Sequence, residues 1–131
     1  MRLGEIMTAE VVSIGPDEAA NTAWSRMDRE GIRHLVVTEG KRLLGVLSER
    51  DLGGRHGRAV RRGRAVRDLM TPQVAVASPA TTLRQAANLM RGQLIGCLPV
   101  VDDGRVVGIA TATDVLGELG RGSSRPAVRA K

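Results

Sequence analysis

The sequence is written twice. Laid over itself at an offset of 63 positions, the chain sets Met7-Thr8 on Met70-Thr71 and continues without a gap to Asp51 on Asp114. Between these ends Pro16 meets Pro79, Ala23 meets Ala86, Met27 meets Met90, Ile32 meets Ile95, Leu35 meets Leu98 and Gly45 meets Gly108. An internal repeat constrains the fold more than any single motif, because both copies must adopt one plan. A unit of about 50 residues buries too little surface to make a good core alone, so the two copies are expected to pack together.

Each copy has the same local grammar. A short extended piece comes first, "VVSI" and then "VAVA". Pro16-Asp17 and Pro79-Ala80-Thr81 follow and suit a helix start, with Asp17 or Thr81 as the cap. Ala20, Ala23, Trp24 and Met27 then share one helical face, and Leu83, Ala86, Ala87 and Met90 repeat it. Gly31 and Gly92 mark the helix ends. Two strands come next, "HLVVTE" and "LLGVLS", then "CLPVVD" and "VVGIAT", the latter pair joined by an Asp103-Gly104 turn. A short helix is expected from Glu49 and from Ala112. The predicted architecture is α+β: two tandem β-α-β-β-α repeats, with nearly continuous apolar strands that suit burial on both faces. Repeat 1 spans residues 1–65 with a basic connection at 53–65, repeat 2 spans 66–117, and 118–131 form a disordered basic tail.

Composition narrows the function. The 131 residues contain no Phe or Tyr, and Trp24 is the only aromatic residue, so it is expected in core or dimer packing rather than against a ligand. Cys97 is the only cysteine and reads as a small buried apolar residue. No intrachain disulfide or cysteine-based zinc cluster can form, and His34 and His56 do not resemble a metal pair. No apolar run approaches the roughly 20 residues of a membrane helix, and the N-terminus lacks a signal-peptide core, so a cytoplasmic location without membrane contact is expected. No nucleophile, base and orienting group stand together in the sequence, which points away from an enzyme.

The net charge of +6 belongs to one segment. Residues 53–67, "GGRHGRAVRRGRAVR", hold six arginines and no acid, and the remaining fourteen basic residues balance fourteen acidic ones. Three readings stand: a solvated linker, a source of arginine for nucleotide phosphates, or a nucleic-acid contact whose affinity would fall steeply with salt. The segment lacks aromatic platforms for single strands, and it lacks the G-K-[ST] ending of a P-loop.

The chemistry-bearing motif is also doubled. "LLGVLSERDL" (43–52) and "VVGIATATDVL" (106–116) each end an apolar strand with a hydroxyl residue and place an aspartate three positions on. A carboxylate only accepts hydrogen bonds, so Asp51 and Asp114 suit a pair of ribose hydroxyls. Ser48 and Thr111 stand where helix N–H groups would favour phosphate, and Arg50 adds a charge-assisted donor. The alternative is structural: Ser48 and Thr111 cap the next turn, with the aspartates stabilising it.

These residues resemble the cystathionine-β-synthase (CBS) domains, which occur in pairs as Bateman modules. The resemblance lies in "IMT" and "LMT", in "GIRHLVV" and "IGCLPVVDDGRVVG", and in "GVLSERDL" and "GIATATDVL", covering about residues 4 to 117. It implies a pseudo-twofold module with two clefts that bind an adenosine compound (AMP, ADP, ATP or S-adenosylmethionine) as a regulatory ligand, with no required cofactor. It also implies a homodimer that signals to a partner protein. Asp51 and Asp114 would hold ribose, and Ser48, Arg50, Thr111 and Thr113 ribose or phosphate. The base would lie along Ser13, Ile14, Ile32, Arg33 and His34 in repeat 1. In repeat 2 it would lie along Val76, Ala77, Ile95, Gly96 and Cys97. His34 would contact the base edge or cover the cleft. The copies depart from one another: Val36 stands where repeat 2 has Pro99, and Glu49-Arg50 where it has Ala112-Thr113. The two clefts should therefore differ in charge. Nucleic-acid association through the arginine segment, or a ligand-free interaction module, are the alternative functions.

Overall fold

A computed structural model describes residues 1–72, 74–93 and 96–123. Its helices are α1 (Leu3–Ile6), α2 (Ala20–Glu30), α3 (Arg58–Arg61), α4 (Val66–Leu69), α5 (Leu83–Gln93) and α6 (Ala112–Ser123). Its strands are β1 (Ser13–Ile14), β2 (His34–Glu39), β3 (Arg42–Ser48), β4 (Thr71–Pro72), β5 (Cys97–Asp102) and β6 (Arg105–Thr111). The expected α+β plan of two repeats is present. Contacts divide the chain into two units, one of residues 10–74 with 103–106, the other of 1–9, 75–102 and the chain from Val107 on.

In the first unit the sheet order is β1-β2-β3-β4. β1 runs parallel to β2, pairing Ser13 with Val36 and Ile14 with Val37. β2 and β3 form an antiparallel hairpin that sets His34 opposite Ser48. β4 closes the other edge, with Thr71 opposite Val46. Helix α2 covers the sheet with Ala20, Ala23 and Met27, which bury with Ile14, Leu35, Val37, Leu47, Leu52 and Val66. Leu35 and Leu47 are fully buried, each contributing roughly 1.5–3 kcal/mol through apolar burial.

The second unit repeats this plan. The hairpin β5-β6 is flanked by Ala77, bridged parallel to Val100, and by Thr8, bridged antiparallel to Ile109. Helix α5 places Ala86 and Met90 in a core with Leu3, Leu98, Val100 and Val115. Each opening segment therefore packs with the other repeat's body: Leu3 and Thr8 with repeat 2, and Val66 and Thr71 with repeat 1. The exchange also serves the helix starts. The Ala20 N–H donates to the Arg64 carbonyl at 2.9 Å, and the Leu83 N–H to the Met1 carbonyl at 3.2 Å.

Several local expectations are corrected. Asp17 does not cap α2; it pairs with Arg67, and Ala19 at the cap position gives no side-chain bond. Thr82, not Thr81, caps α5. Its hydroxyl accepts from the Gln85 N–H at 3.1 Å, and the Gln85 side chain accepts from the Thr82 N–H at 2.9 Å. Gly31 ends α2 in the left-handed conformation at φ 68°, but Gly92 lies inside the last turn of α5. After β3 the chain makes turns at 49–53 instead of a helix, whereas α6 does begin at Ala112. Helix α6 also runs through 118–123, the start of the stretch expected to be a disordered tail. Leu119 packs on the core and supplies the reason. Residues 124–131 lie outside the described residues.

The basic connection is not uniformly solvated either. Arg61 is 6% exposed, with its guanidinium 4.1 Å above the Trp24 ring. Its Nη1 donates to the Leu52 and Gly54 carbonyls, both at 2.9 Å, and its Nε to Asn21 Oδ1 at 3.3 Å. A buried charge needs partners of this kind, and the guanidinium fork supplies several donors at once.

Candidate functional site

The two Ser/Thr-to-Asp motifs make the same pair of hydrogen bonds, the first in a turn and the second at the start of α6. Asp51 Oδ2 accepts from the Ser48 N–H at 2.9 Å, and Ser48 Oγ accepts from the Asp51 N–H at 3.0 Å. Asp114 Oδ2 accepts from the Thr111 N–H at 3.1 Å, and Thr111 Oγ1 accepts from the Asp114 N–H at 3.2 Å. The capping role is thus real in both units. It leaves capacity to spare, because a carboxylate offers about four acceptor positions. All four residues are half-buried: Ser48 and Thr111 end a hairpin strand, a rigid support for a binding group, and the aspartates stand in the turn or helix that follows.

A second matched contact sits beside each motif. The Glu49 N–H donates to the Arg33 carbonyl at 2.9 Å, and the Ala112 N–H to the Gly96 carbonyl at 2.8 Å. These bonds tie the start of one hairpin strand to the end of the other. They bring Arg33, His34, Ser48 and Asp51 together in the first unit, and Gly96, Cys97, Thr111 and Asp114 together in the second.

The side chains in equivalent places differ in chemistry. His34 is half-buried; burial pushes its pKa below the usual imidazole value, while the nearby Asp51 carboxylate pulls the other way. Cys97 holds the equivalent place, and burial, with the Asp114 charge, pushes its thiol up to about 12. Such a thiol stays protonated and is no nucleophile. Ser48, His34 and Asp51 do meet, but without the hydrogen bonding of a catalytic triad. Ser48 Oγ is bonded to the Asp51 backbone, and among the described residues it has no bond to the His34 ring.

The remaining expected residues divide. Ile32 and Arg33 line a pocket of about 170 Å³ with Trp24, Asp28 and Glu49. Trp24 therefore both packs on the core, as expected, and lines a pocket, which was not. Ile14 and Ala77, expected along the base clefts, are 3% and 7% exposed core residues, because their strand positions face α2 and α5. Ser13, Arg50, Val76, Gly96 and Thr113 are exposed. Ile95 lies outside the described residues. The sequence marked Glu49 only as a charge difference between the two clefts, and nothing in it marked Asp28 as a pocket residue. No group of three or more metal-ligating side chains occurs among the described residues.

The CBS-domain family model matches residues 3–52 and 66–121. The chain belongs to the CBS-domain family and carries a tandem pair of its repeats. Among curated relatives, the CBS domain-containing protein YhcV of Bacillus subtilis is 30% identical over 112 residues, covering 85% of this chain and 80% of YhcV. The inosine-5'-monophosphate dehydrogenase of Nitrosopumilus maritimus is 31% identical over 118 residues. That match covers 87% of this chain but 23% of the dehydrogenase, so the chain spans less than a quarter of that relative's length. Among solved structures, CBSX2 in complex with AMP is 28% identical with a TM-score of 0.76, covering 92% of this chain and 96% of that one. The CBS-pair protein CBSX2 from Arabidopsis thaliana is 27% identical with a TM-score of 0.78, covering 95% of this chain and 98% of that one.

Proposed function

We propose that this chain is a regulatory module that binds an adenosine nucleotide at Ser48/Asp51, at Thr111/Asp114, or at both, and performs no catalysis. The carrying observation is the half-buried aspartate just after a hairpin strand, bonded the same way in both units with acceptor capacity left over. The AMP complex of CBSX2 supports the ligand class. Asp51 and Asp114 would accept from ribose hydroxyls. Ser48 and Thr111 would orient them and face ribose or phosphate, and Ser13, His34, Val76 and Cys97 would border the base. The bound state would be read by a partner protein through a homodimer in the cytoplasm.

The two sites would not take the same ligand equally. Arg33, His34, Glu49 and Arg50 flank the first motif along the chain, whereas Gly96, Cys97, Ala112 and Thr113 hold the equivalent positions at the second. The first site thus offers two guanidinium groups for phosphate. The second presents a carboxylate without a cation at those positions, and disfavours an anion.

Thermal stability with AMP, ADP, ATP and S-adenosylmethionine tests the reading. A ligand that binds only the folded state adds roughly 2.7 kcal/mol at 100 times its dissociation constant. A rise with at least one of them is expected; no change with any of the four would overturn the proposal.

A further inference from the structure

The arginine connection is fixed in place, and its free charge faces outward. Arg61 turns inward and is held by Trp24, Asn21 and two backbone carbonyls. Its neighbours Arg55, Arg58, Arg62 and Arg64 are exposed. Among the described residues Arg29 pairs with Glu30 and Arg67 with Asp17, and none of these four guanidinium groups pairs with an acid. Arg58 and Arg62 stand four positions apart across one helical turn, where the Arg62 N–H donates to the Arg58 carbonyl at 3.1 Å, so both lie on one side.

A groove on α2 adjoins this segment through Asn21, the residue that accepts from Arg61. It has a volume of about 290 Å³ and is lined by Asn21, Thr22, Ser25, Arg26 and Arg29, with no acid. Neutral amide and hydroxyl side chains interleaved with guanidinium groups form the set that contacts a sugar-phosphate backbone. An acidic peptide would be served by the cations alone. The one aromatic ring is covered by Arg61, so base stacking has no platform here.

We propose that the outer face of α2 and the connection 55–64 form a docking surface for the phosphate backbone of duplex nucleic acid, read by charge and not by base sequence. This function goes beyond the nucleotide sites. Arg61 acts within it as a positioning residue: it ties the connection to α2 through Asn21 and Trp24.

Fluorescence anisotropy of the full chain with a labelled DNA duplex is the test. Four phosphate contacts imply a slope of log affinity against log salt of roughly −3 to −4, or about a hundredfold weakening between about 50 and about 200 mM salt. Arg58→Ala with Arg62→Ala should flatten the slope by about 2 and leave thermal stability unchanged, since neither exposed side chain has a hydrogen-bond or ion-pair partner among the described residues. The wild-type salt slope needs no variant. Absence of duplex binding at low salt, a slope near zero, or an unchanged slope in the double variant would overturn the proposal. Polyglutamate competing as well as unlabelled duplex would also overturn it, in favour of an acidic protein partner.

Discussion

Ser48 and Asp51 hold each other by two reciprocal hydrogen bonds, backbone N–H to carboxylate at 2.9 Å and backbone N–H to hydroxyl at 3.0 Å. Structure and proposed function therefore meet in the same two side chains. Loss of a cap of this kind costs about 0.5–2 kcal/mol. Ser48→Ala and Asp51→Ala are both expected to lower stability by about that amount in urea denaturation. Asp51→Ala should also lose the nucleotide stabilisation that comes from the first site, more than Ser48→Ala does, because on the proposed reading the carboxylate also accepts from ribose.

Arg61→Ala removes a buried guanidinium from an aromatic face, takes the side-chain donor from the Leu52 carbonyl, and removes one of two donors from the Gly54 carbonyl, which keeps the Gly57 N–H at 3.0 Å. Charged hydrogen bonds contribute about 1.5–3 kcal/mol, and a desolvated cation–π contact about 2. These terms overlap, so a loss of about 2–4 kcal/mol is expected in the denaturation midpoint. Limited proteolysis should cut the variant within 53–65 faster than the parent. Arg61→Lys should recover only part of the loss, because an ammonium lacks the planar fork.

Gly45 and Gly108 are equivalent in sequence but not in tolerance. A Cβ at Gly45 would run into the Thr71 carbonyl oxygen and Pro72 Cα, both backbone atoms. At Gly108 its nearest neighbours are Met7 Sδ and Cγ, the end of a flexible side chain. Overpacking costs about 1–3 kcal/mol. Gly45→Ala should fall at the upper end of that range and Gly108→Ala at the lower end, measured by thermal denaturation of each single variant.

His34 makes stability depend on pH. Its folded pKa lies below the ordinary 6.5, so the unfolded chain takes up a proton that the folded chain resists. Stability should be complete above 6.5, decline as pH falls through 6.5 towards the lowered folded value, and level off beneath it. Urea midpoints across this range should show that decline in the wild type and a shallower one in His34→Gln.

Cys97 should be silent in the folded state. With its thiol pushed up to about 12 and its side chain buried, it should react with a thiol reagent at mildly alkaline pH only after unfolding. Rapid labelling of the native chain would contradict this.

The repeat made the main architecture legible. The offset that aligned Leu35 with Leu98 and Gly45 with Gly108 also aligned hairpins, helix faces and the two aspartates, because identical patterns impose identical packing. What was not legible depended on contacts between distant segments. Nothing in "LGEI" or "VRDL" says that these one-turn helices pack with the opposite repeat; that follows from which body has an open sheet edge for Thr8 and Thr71. The helix after β3 was expected by analogy with α6. Gly53 and Gly54 at φ 87° and 68° turn the chain there instead. Arg61 looked like one of six similar arginines, and only the proximity of Trp24 separates it from the rest. At the site, the doubled hydroxyl and aspartate were readable, but whether they capped or bound was not. Capping is visible in the hydrogen bonds, and spare acceptor capacity in the chemistry of the carboxylate.

Calorimetric titration of AMP into the wild type, Asp51→Ala and Asp114→Ala addresses the central proposal most directly. Binding is expected in the wild type, lost at the first site in Asp51→Ala, and little changed in Asp114→Ala, because on the proposed reading Arg33 and Arg50 serve phosphate at the first site, where the second has Gly96 and Thr113. AMP binding that survives undiminished in both single variants and in the double variant would contradict ribose recognition by these aspartates.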